Sequence, residues 1–464
     1  MWTTNQMGKS DFYEHSLADC YSFLRSKRLI WWVLFVALMM RSANALFQPI
    51  DEQEGRFYRE IGLNLAHGFG YTWTGGRFAS DRAPLTSFIV AIIYRLGGND
   101  WAVRQCWAVL SVLCVAAAYC LVRAHHGIVA ANLSAIGVTI YPYNILIGGW
   151  TSTETPAVLL TFLCILCFLK WEATGSLKTA CITGGVLGFA VLNRPPMAAY
   201  GLVLPLLLWR HARQIGMTAQ RRIVSIVGFG VVSIVVVSPW TIYVSRKIQT
   251  PCLVTSVGPG NLWQGLNPWV AEYLDGRLSS QDFLNEIDSR TYGLWDNSVS
   301  WKEKNRAYKA AVRQFIQENP MAFARLMVYR TVKFWQIPGL STVRTTPDKR
   351  NHFKPVIIVG CLSYVPLAVV TLVGVAVLGR KRKLDLIGIY LIWIVVAFVT
   401  NVPFSSTITR YRFASGIDDL MILIAAIYLA ARFNHSDATA CPERNYTASP
   451  VRSIGSSDGH LPIC

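Results

Sequence analysis

Apolar stretches of about 20 residues recur along this chain, and a run of that length has few places to go except across a hydrocarbon core as a helix. The candidates are Leu29 to Phe47, Trp101 to Leu121, Ile128 to Ile147, Pro156 to Trp171, Ala180 to Leu192 and Met197 to Trp209, then Ile223 to Val244, Val356 to Leu378, Leu384 to Val402 and Ile417 to Ala431. That makes about ten spans joined mostly by short polar segments. The expected fold class is an all-α polytopic membrane protein, with juxtamembrane helices and a mostly helical outer loop region. Composition agrees: 53% of the residues are hydrophobic and 15% charged, where soluble domains carry about 25% charged residues.

The formal net charge of +18 excludes little by itself. The Arg and Lys residues sit in clusters that flank the apolar runs, which is the pattern of membrane topology and not of a nucleic-acid face. No nucleic-acid partner is expected. Of the 11 cysteines, most lie inside apolar runs, where a thiol packs as a small hydrophobe. Cys164 and Cys167 have the C-x-x-C spacing, but LLTFLCILCFLKW offers no charge or histidine beside them to lower a thiol pKa. No disulfide framework is inferred.

The first apolar run comes after Arg25, Lys27 and Arg28 and reads as an uncleaved first span, so the N-terminus is expected in the cytoplasm. The apolar-rich run Leu85 to Leu96 is short for a crossing and is read as a juxtamembrane helix. With that choice, the arginines of the segment Arg210 to Arg222 and the cluster Arg380-Lys381-Arg382-Lys383 share the side of the basic N-terminus. The expected organisation is a cytoplasmic N-terminus (1–28), an N-terminal catalytic transmembrane module (29–245) with a first outer loop (48–99), an extracytoplasmic loop region (246–355), C-terminal transmembrane helices (356–432) and a polar cytoplasmic tail (433–464). Bacterial cytoplasmic membrane is the expected location, because compact loops and the absence of a retention signal fit it.

The chemistry-bearing residues fall on the outer side in this topology. Asp51 and Glu52 come directly after the first span, and Phe57, Ile61 and Leu65 behind them give an amphipathic helix along the membrane surface. A plain alternative is that the two acids only cap that helix. Asp81-Arg82-Ala83-Pro84-Leu85 sets an acid beside a base at the start of the short run, and an interfacial ion pair before a helix-starting proline would also explain it. Arg194 interrupts an apolar hairpin at Leu192-Asn193-Arg194-Pro195, where a charge near the bilayer centre costs about 2.5 to 3.5 kcal/mol. Snorkelling to the interface is its bland reading. Glu154, in Ser152 to Pro156, either meets a substrate or belongs to a helix start. Arg104 lies early in its span, and Arg410-Tyr411-Arg412 precedes the last one.

In that order, these motifs resemble the membrane glycosyltransferase superfamily that includes protein O-mannosyltransferases and lipid A aminoarabinose transferases, whose fold is called GT-C. The resemblance rests on Asp51-Glu52, Tyr58, Gly68-Phe69-Gly70, Asp81-Arg82-Ala83-Pro84-Leu85, Arg104, Ser152 to Pro156, Leu192 to Pro195 and Arg410-Tyr411-Arg412. It implies transfer of a sugar from a polyprenyl-phosphate donor to a glycolipid, glycan or protein hydroxyl, with inversion at the anomeric carbon and polyprenyl phosphate leaving. Asp51 is then the expected base, with Glu52 and Glu154 beside the reaction. Arg82, Arg194, Arg104, Arg410 and Arg412 are the expected grip on the donor phosphate, since fixed guanidinium groups near lipid stabilise a departing anion. Two departures from the family pattern are Ala83, where it has a first Pro, and Asp81, where the aminoarabinose transferases carry Glu at a metal site. No cofactor is assigned, and a divalent metal ion at Asp81 stays open. The competing reading is a transporter or lipid flippase, which would show internal repeats and midplane charges. No repeat is evident, and the notable acids cluster in one outer loop.

Overall fold

The computed structural model describes residues 22–47, 54–214, 216–275, 277–289, 291, 293, 298–337, 350–380, 385–404, 412 and 415–440. Among these there is no strand, only an isolated antiparallel bridge between Thr72 and Phe78. The helices are α1 (Leu29–Phe47), α2 (Glu54–Ala66), α3 (Pro84–Arg95), α4 (Asp100–Ile140), α5 (Pro142–Ile147), α6 (Glu154–Thr174), α7 (Leu177–Asn193), α8 (Tyr200–Gln214) and α9 (Ala219–Ile248). They continue with α10 (Gly258–Gly265), α11 (Val270–Leu274), α12 (Ser280–Ser289), α13 (Trp301–Glu318), α14 (Pro320–Phe334), α15 (Arg350–Arg380), α16 (Asp385–Asn401) and α17 (Ile417–Ala440). Among the described residues, five helices, α1, α4, α6, α9 and α15, are long and apolar enough to cross a membrane by length and composition. The shorter apolar helices include α3, α7 and most of α16.

Helix α4 contains two of the expected spans. At Gly127 the backbone takes φ 80 and ψ 179, a conformation open to glycine because it has no Cβ. Arg41 of α1 reveals the effect on the chain path. Its guanidinium donates to Ser111 Oγ (2.6 Å) before Gly127, and to the Val138 and Thr139 carbonyls (3.0 and 3.3 Å) after it. One side chain reaches both halves, so α4 doubles back at Gly127 into an antiparallel pair. Asn132, just past the turn, donates to the Leu24 carbonyl (2.7 Å), five residues before α1.

The most extensive helix pair is α7 on α9. Gly184 and Gly188 lie one turn apart on α7, and a Cβ at Gly184 would stand 2.2 Å from the Phe229 carbonyl oxygen of α9. Small residues at that spacing let two helices approach to backbone contact, which in lipid is a main source of helix association. Phe229, set at this contact, stacks on Trp171 of α6 (centroids 5.2 Å, 21°). The sequence of contacts α6–α7–α9 thereby becomes one slab, joined to α4 through α6.

The bundle has two distinct ends. The turn end holds the start of α1, the turn of α4 at Gly127, and the α6–α7 connection, where Gly175 touches Met217 of the α8–α9 connection. The rim end gathers the end of α1, the starts of α3 and α6, the end of α7 and the end of α9. There Asn44 donates to the Ile145 carbonyl (2.8 Å), Asn193 to the Thr153 carbonyl (2.9 Å), and Trp240 to the Val254 carbonyl (2.8 Å).

Candidate active site

The loop between α2 and α3 reaches the rim end as a folded unit. Tyr71 packs edge-on against Trp240 (4.7 Å) and Phe88 (6.0 Å), and its hydroxyl donates to the Ala83 and Arg82 carbonyls (3.1 and 3.3 Å). Burial pushes the Tyr71 phenol well above its usual range, so it remains a donor. Those bonds fix the extended Ala83 (φ −73, ψ 140) from which Pro84 opens α3, at the position where proline's missing N–H costs nothing. Asp81 is held one step earlier. It is buried (4% exposed), accepts from Trp73 Nε1 at 3.0 Å through Oδ1, and has Arg82 Nε 3.6 Å from Oδ2. The Arg82 guanidinium lies 4.6 Å over the Phe57 ring, which meets Trp73 edge-on at 5.5 Å.

Three chain segments converge beside this loop. Thr86 in the first turn of α3 bonds Asn193 Oδ1 (3.1 Å), and Asn193 at the end of α7 donates to the Thr153 carbonyl before α6. Arg194 then donates to Thr153 Oγ1 at 3.2 Å. Thr153 stands at the N-cap of α6 yet makes no side-chain cap bond, so the hydroxyl that would close the helix start serves Arg194 instead. Ser152, Thr153, Glu154 and Thr155 are all buried, and Trp107 Nε1 holds the Ser152 carbonyl at 2.9 Å. Glu154 thus enters the same buried corner as Asn193 and Arg194, at a helix N-terminus that favours a carboxylate. Sequence reasoning singled out Glu154 and Arg194 but gave no role to Thr86 and Asn193, which join their segments, or to Trp73, which holds Asp81; an asparagine at a helix end was the available signal.

The remaining expected residues separate. Asp51, Glu52 and Arg410 lie outside the described residues. Arg104 donates to the Ala45 carbonyl (2.9 Å) in the last turn of α1, directly before the stretch that carries Asp51 and Glu52. Arg412 enters a different network. It is fully buried, pairs with Asp418 at 2.8 Å, donates to the Phe334 and Gln336 carbonyls (each 2.9 Å), and covers the Tyr364 ring at 4.0 Å. Tyr141 donates to the same Asp418 (2.6 Å) and Asn144 to Asp419 (2.7 Å), joining α4, α5, α14, α15 and α17. The sequence reading named Arg412 as a grip on the donor phosphate but missed its partners Asp418, Tyr141, Asn144 and Asp419, and missed Arg41, although Asp418, Asp419 and Arg41 are charges inside apolar runs.

Among the described residues no three His, Cys, Asp or Glu side chains come together as a metal site. Asp81 Oδ1 accepts from the Trp73 indole N–H, and Arg82 Nε lies 3.6 Å from Oδ2, which is buried without a hydrogen bond from the described residues. No step through a metal is derived.

Residues 81–243, from Asp81 to the last turns of α9, match the family model of dolichyl-phosphate-mannose-protein mannosyltransferase. No curated protein sequence matches the chain. Among solved structures, the archaeal oligosaccharyltransferase AglB from Archaeoglobus fulgidus, in complex with an inhibitory peptide and a dolichol-phosphate, superposes with a TM-score of 0.51 at 13% identity, covering 90% of this chain and 52% of that one. The apo form of the Archaeoglobus fulgidus oligosaccharyltransferase gives 0.51 at 14% identity, over 91% of this chain and 53% of that one. This chain therefore spans about half the length of the proteins whose fold it shares.

Proposed function

We propose that this chain belongs to the GT-C-fold superfamily of membrane glycosyltransferases and moves a sugar from a polyprenyl-phosphate donor to a glycolipid, glycan or protein hydroxyl at the rim end of its bundle. The observation that carries the reading is the meeting of three separate segments through hydrogen bonds, Thr86 to Asn193, Asn193 to Thr153 and Arg194 to Thr153, with the Asp81–Arg82 pair shortly before Thr86 in the chain and Glu154 next to Thr153. Acids and guanidinium groups concentrated at one membrane edge suit a reaction that removes a proton on one side and releases an anion on the other.

The steps derive from that chemistry. A carboxylate takes the proton of the acceptor hydroxyl as its oxygen attacks the anomeric carbon, and Asp51 is the proposed base, beside Glu52. The bond to the donor phosphate breaks as the new glycosidic bond forms, which inverts the centre. Arg82 and Arg194 receive the phosphate charge in a setting where lipid and protein screen poorly. Glu154 orients the acceptor or balances Arg194. Arg104, near the start of α4, ties that helix to the last turn of α1, while Arg412 ties the start of α17 to the end of α14.

Charge distribution supports the sidedness. Arg25, Lys27, Arg28, Arg123, Lys178, Arg221 and Arg222 all belong to the turn end, and the positive-inside rule assigns such an end to the cytoplasm. The rim end then faces the outside, where a lipid-borne donor replaces nucleotide sugars. A bacterial cytoplasmic membrane is the proposed setting. The test is transfer from a polyprenyl-phosphate sugar by purified protein: Asp51→Asn is expected to lower the rate about 100-fold with unchanged folding and donor binding. An unchanged rate removes Asp51 from the base role.

A further inference from the structure

Helix α13 has a face that the fold does not use. It starts with a full capping box between Ser300 and Glu303 and turns Tyr308, Val312 and Phe315 inward. Its outward stripe is Lys302, Arg306, Lys309 and Arg313, spaced at i, i+4, i+7 and i+11, so the four cations share one side of the helix. They do not simply face bulk water. With the segment after α9 they line a half-open cavity of about 560 Å³, bordered also by Thr250, Thr255 and Ser256. Among the described residues that line it none is acidic. A stripe of one sign closing on a shared cavity repels itself and raises a positive potential there, which an anion relieves.

The opposite wall is built before any ligand arrives. Gln249 takes the left-handed conformation (φ 52) at the end of α9 and turns the chain back along that helix. Trp240 then donates to the Val254 carbonyl (2.8 Å), Thr241 to that of Leu253 (2.6 Å) and Ser245 to that of Cys252 (3.1 Å). The wall ends against the candidate active site. The Ser256 N–H donates to the Ser80 carbonyl and the two hydroxyls bond each other, both at 2.8 Å, and Ser80 is the residue before Asp81.

We propose that this cavity binds a phosphate or pyrophosphate group carried by the acceptor. Arginines give paired N–H donors matched to phosphate oxygens, and lysines add charge. The volume falls within the range of about 300–1,000 Å³ of small-ligand pockets. With Arg82 and Arg194 assigned to the donor phosphate, this second cationic site selects the acceptor. The assignment to an acceptor rests on the glycosyltransferase reading; the anion site itself does not.

The full-length protein in phosphatidylcholine nanodiscs, titrated with inorganic pyrophosphate, tests it. Wild type is expected to bind, more weakly as salt rises, and Arg306→Gln with Lys309→Gln to weaken binding at least 10-fold with unchanged thermal unfolding. Lys178→Gln, at the turn end, is the control and should bind as wild type. Absence of binding, or equal binding by the double variant, overturns the site. Loss of pyrophosphate binding in phosphatidylglycerol nanodiscs assigns the cavity to lipid headgroups and overturns the acceptor assignment. In a transfer assay the double variant should raise KM for a phosphorylated acceptor and leave kcat unchanged. Pyrophosphate binding without any sugar transfer sinks the glycosyltransferase reading alone and leaves the anion site standing.

Discussion

Arg194 and Arg412 are alike in the sequence, two guanidinium groups beside apolar runs, and their surroundings separate them. Arg194 donates to a threonine hydroxyl at a junction of three segments, whereas Arg412 is spent on a buried carboxylate and two carbonyls. Their variants should therefore fail differently. Arg194→Gln is expected to lower transfer at least 10-fold and to leave the unfolding temperature in detergent close to wild type. Asp418→Asn should destabilise by about 3 to 5 kcal/mol, because removing one partner leaves Arg412 as a buried charge without its counterion. Thermal unfolding of both proteins, run beside the transfer assay, separates the two outcomes. The sequence showed each arginine as a charge with a burial cost. Which atoms met that cost was not legible, since Asn193, Thr153 and Asp418 come from other segments and a local pattern carries no distances.

Between helices, small residues set the contacts. Gly184→Val would drive two methyl groups into the Phe229 carbonyl, 2.2 Å from the Cβ position, and α7 can escape only by leaving α9. The expected result is loss of folded protein by size-exclusion chromatography, beyond the roughly 1–3 kcal/mol of ordinary overpacking. Outside the bundle, Asp275 links the end of α11 to α14 through Tyr329 and through Lys333 at 3.1 Å. Burial alone would raise its carboxyl; the bonds from Tyr329 and Lys333 outweigh it and hold the pKa below the usual value. A lowered pKa in the fold means that the link stabilises fully above the unfolded value, about 3.9, and weakens as pH falls through the folded one. Limited proteolysis of this region should accelerate below about pH 4, and Asp275→Asn should be cleaved faster at neutral pH with a flatter pH response. Helix extents were legible from apolar run length: α1 covers the expected Leu29 to Phe47, and α3 is the expected short helix. The doubling of α4 was legible as two runs, but the single residue that permits it, Gly127, looked like any other glycine.

Taken whole, the molecule is asymmetric from end to end. The turn end carries the cationic clusters, and the rim end carries the buried acids and arginines of the site together with the lined cavity beside α13. Cysteines introduced by Lys178→Cys and Lys302→Cys should consequently react with a membrane-impermeant maleimide from opposite sides, Lys302→Cys in intact cells and Lys178→Cys only after permeabilisation. Labelling of both from one side would refute the topology and the outward-facing reaction with it. The class of the molecule was legible from hydropathy, because lipid admits few backbone solutions for a chain like this. The acceptor was not, because a cavity formed between α13 and the segment after α9 exists only once distant stretches have met.

The junction of Asn193 with Thr153 has one more result. Helices α6 and α7 leave a common short connection at Gly175 and meet again at the rim through the Asn193–Thr153 bond, so the hairpin acts as a caliper whose jaws are Thr153 and Asn193. One residue added to α7 past Gly188 would advance its tip by about 1.5 Å and swing it by about 100°, turning Asn193 and Arg194 away from their partners. Connections at the turn end can lengthen freely; the register of this hairpin cannot drift by a single position.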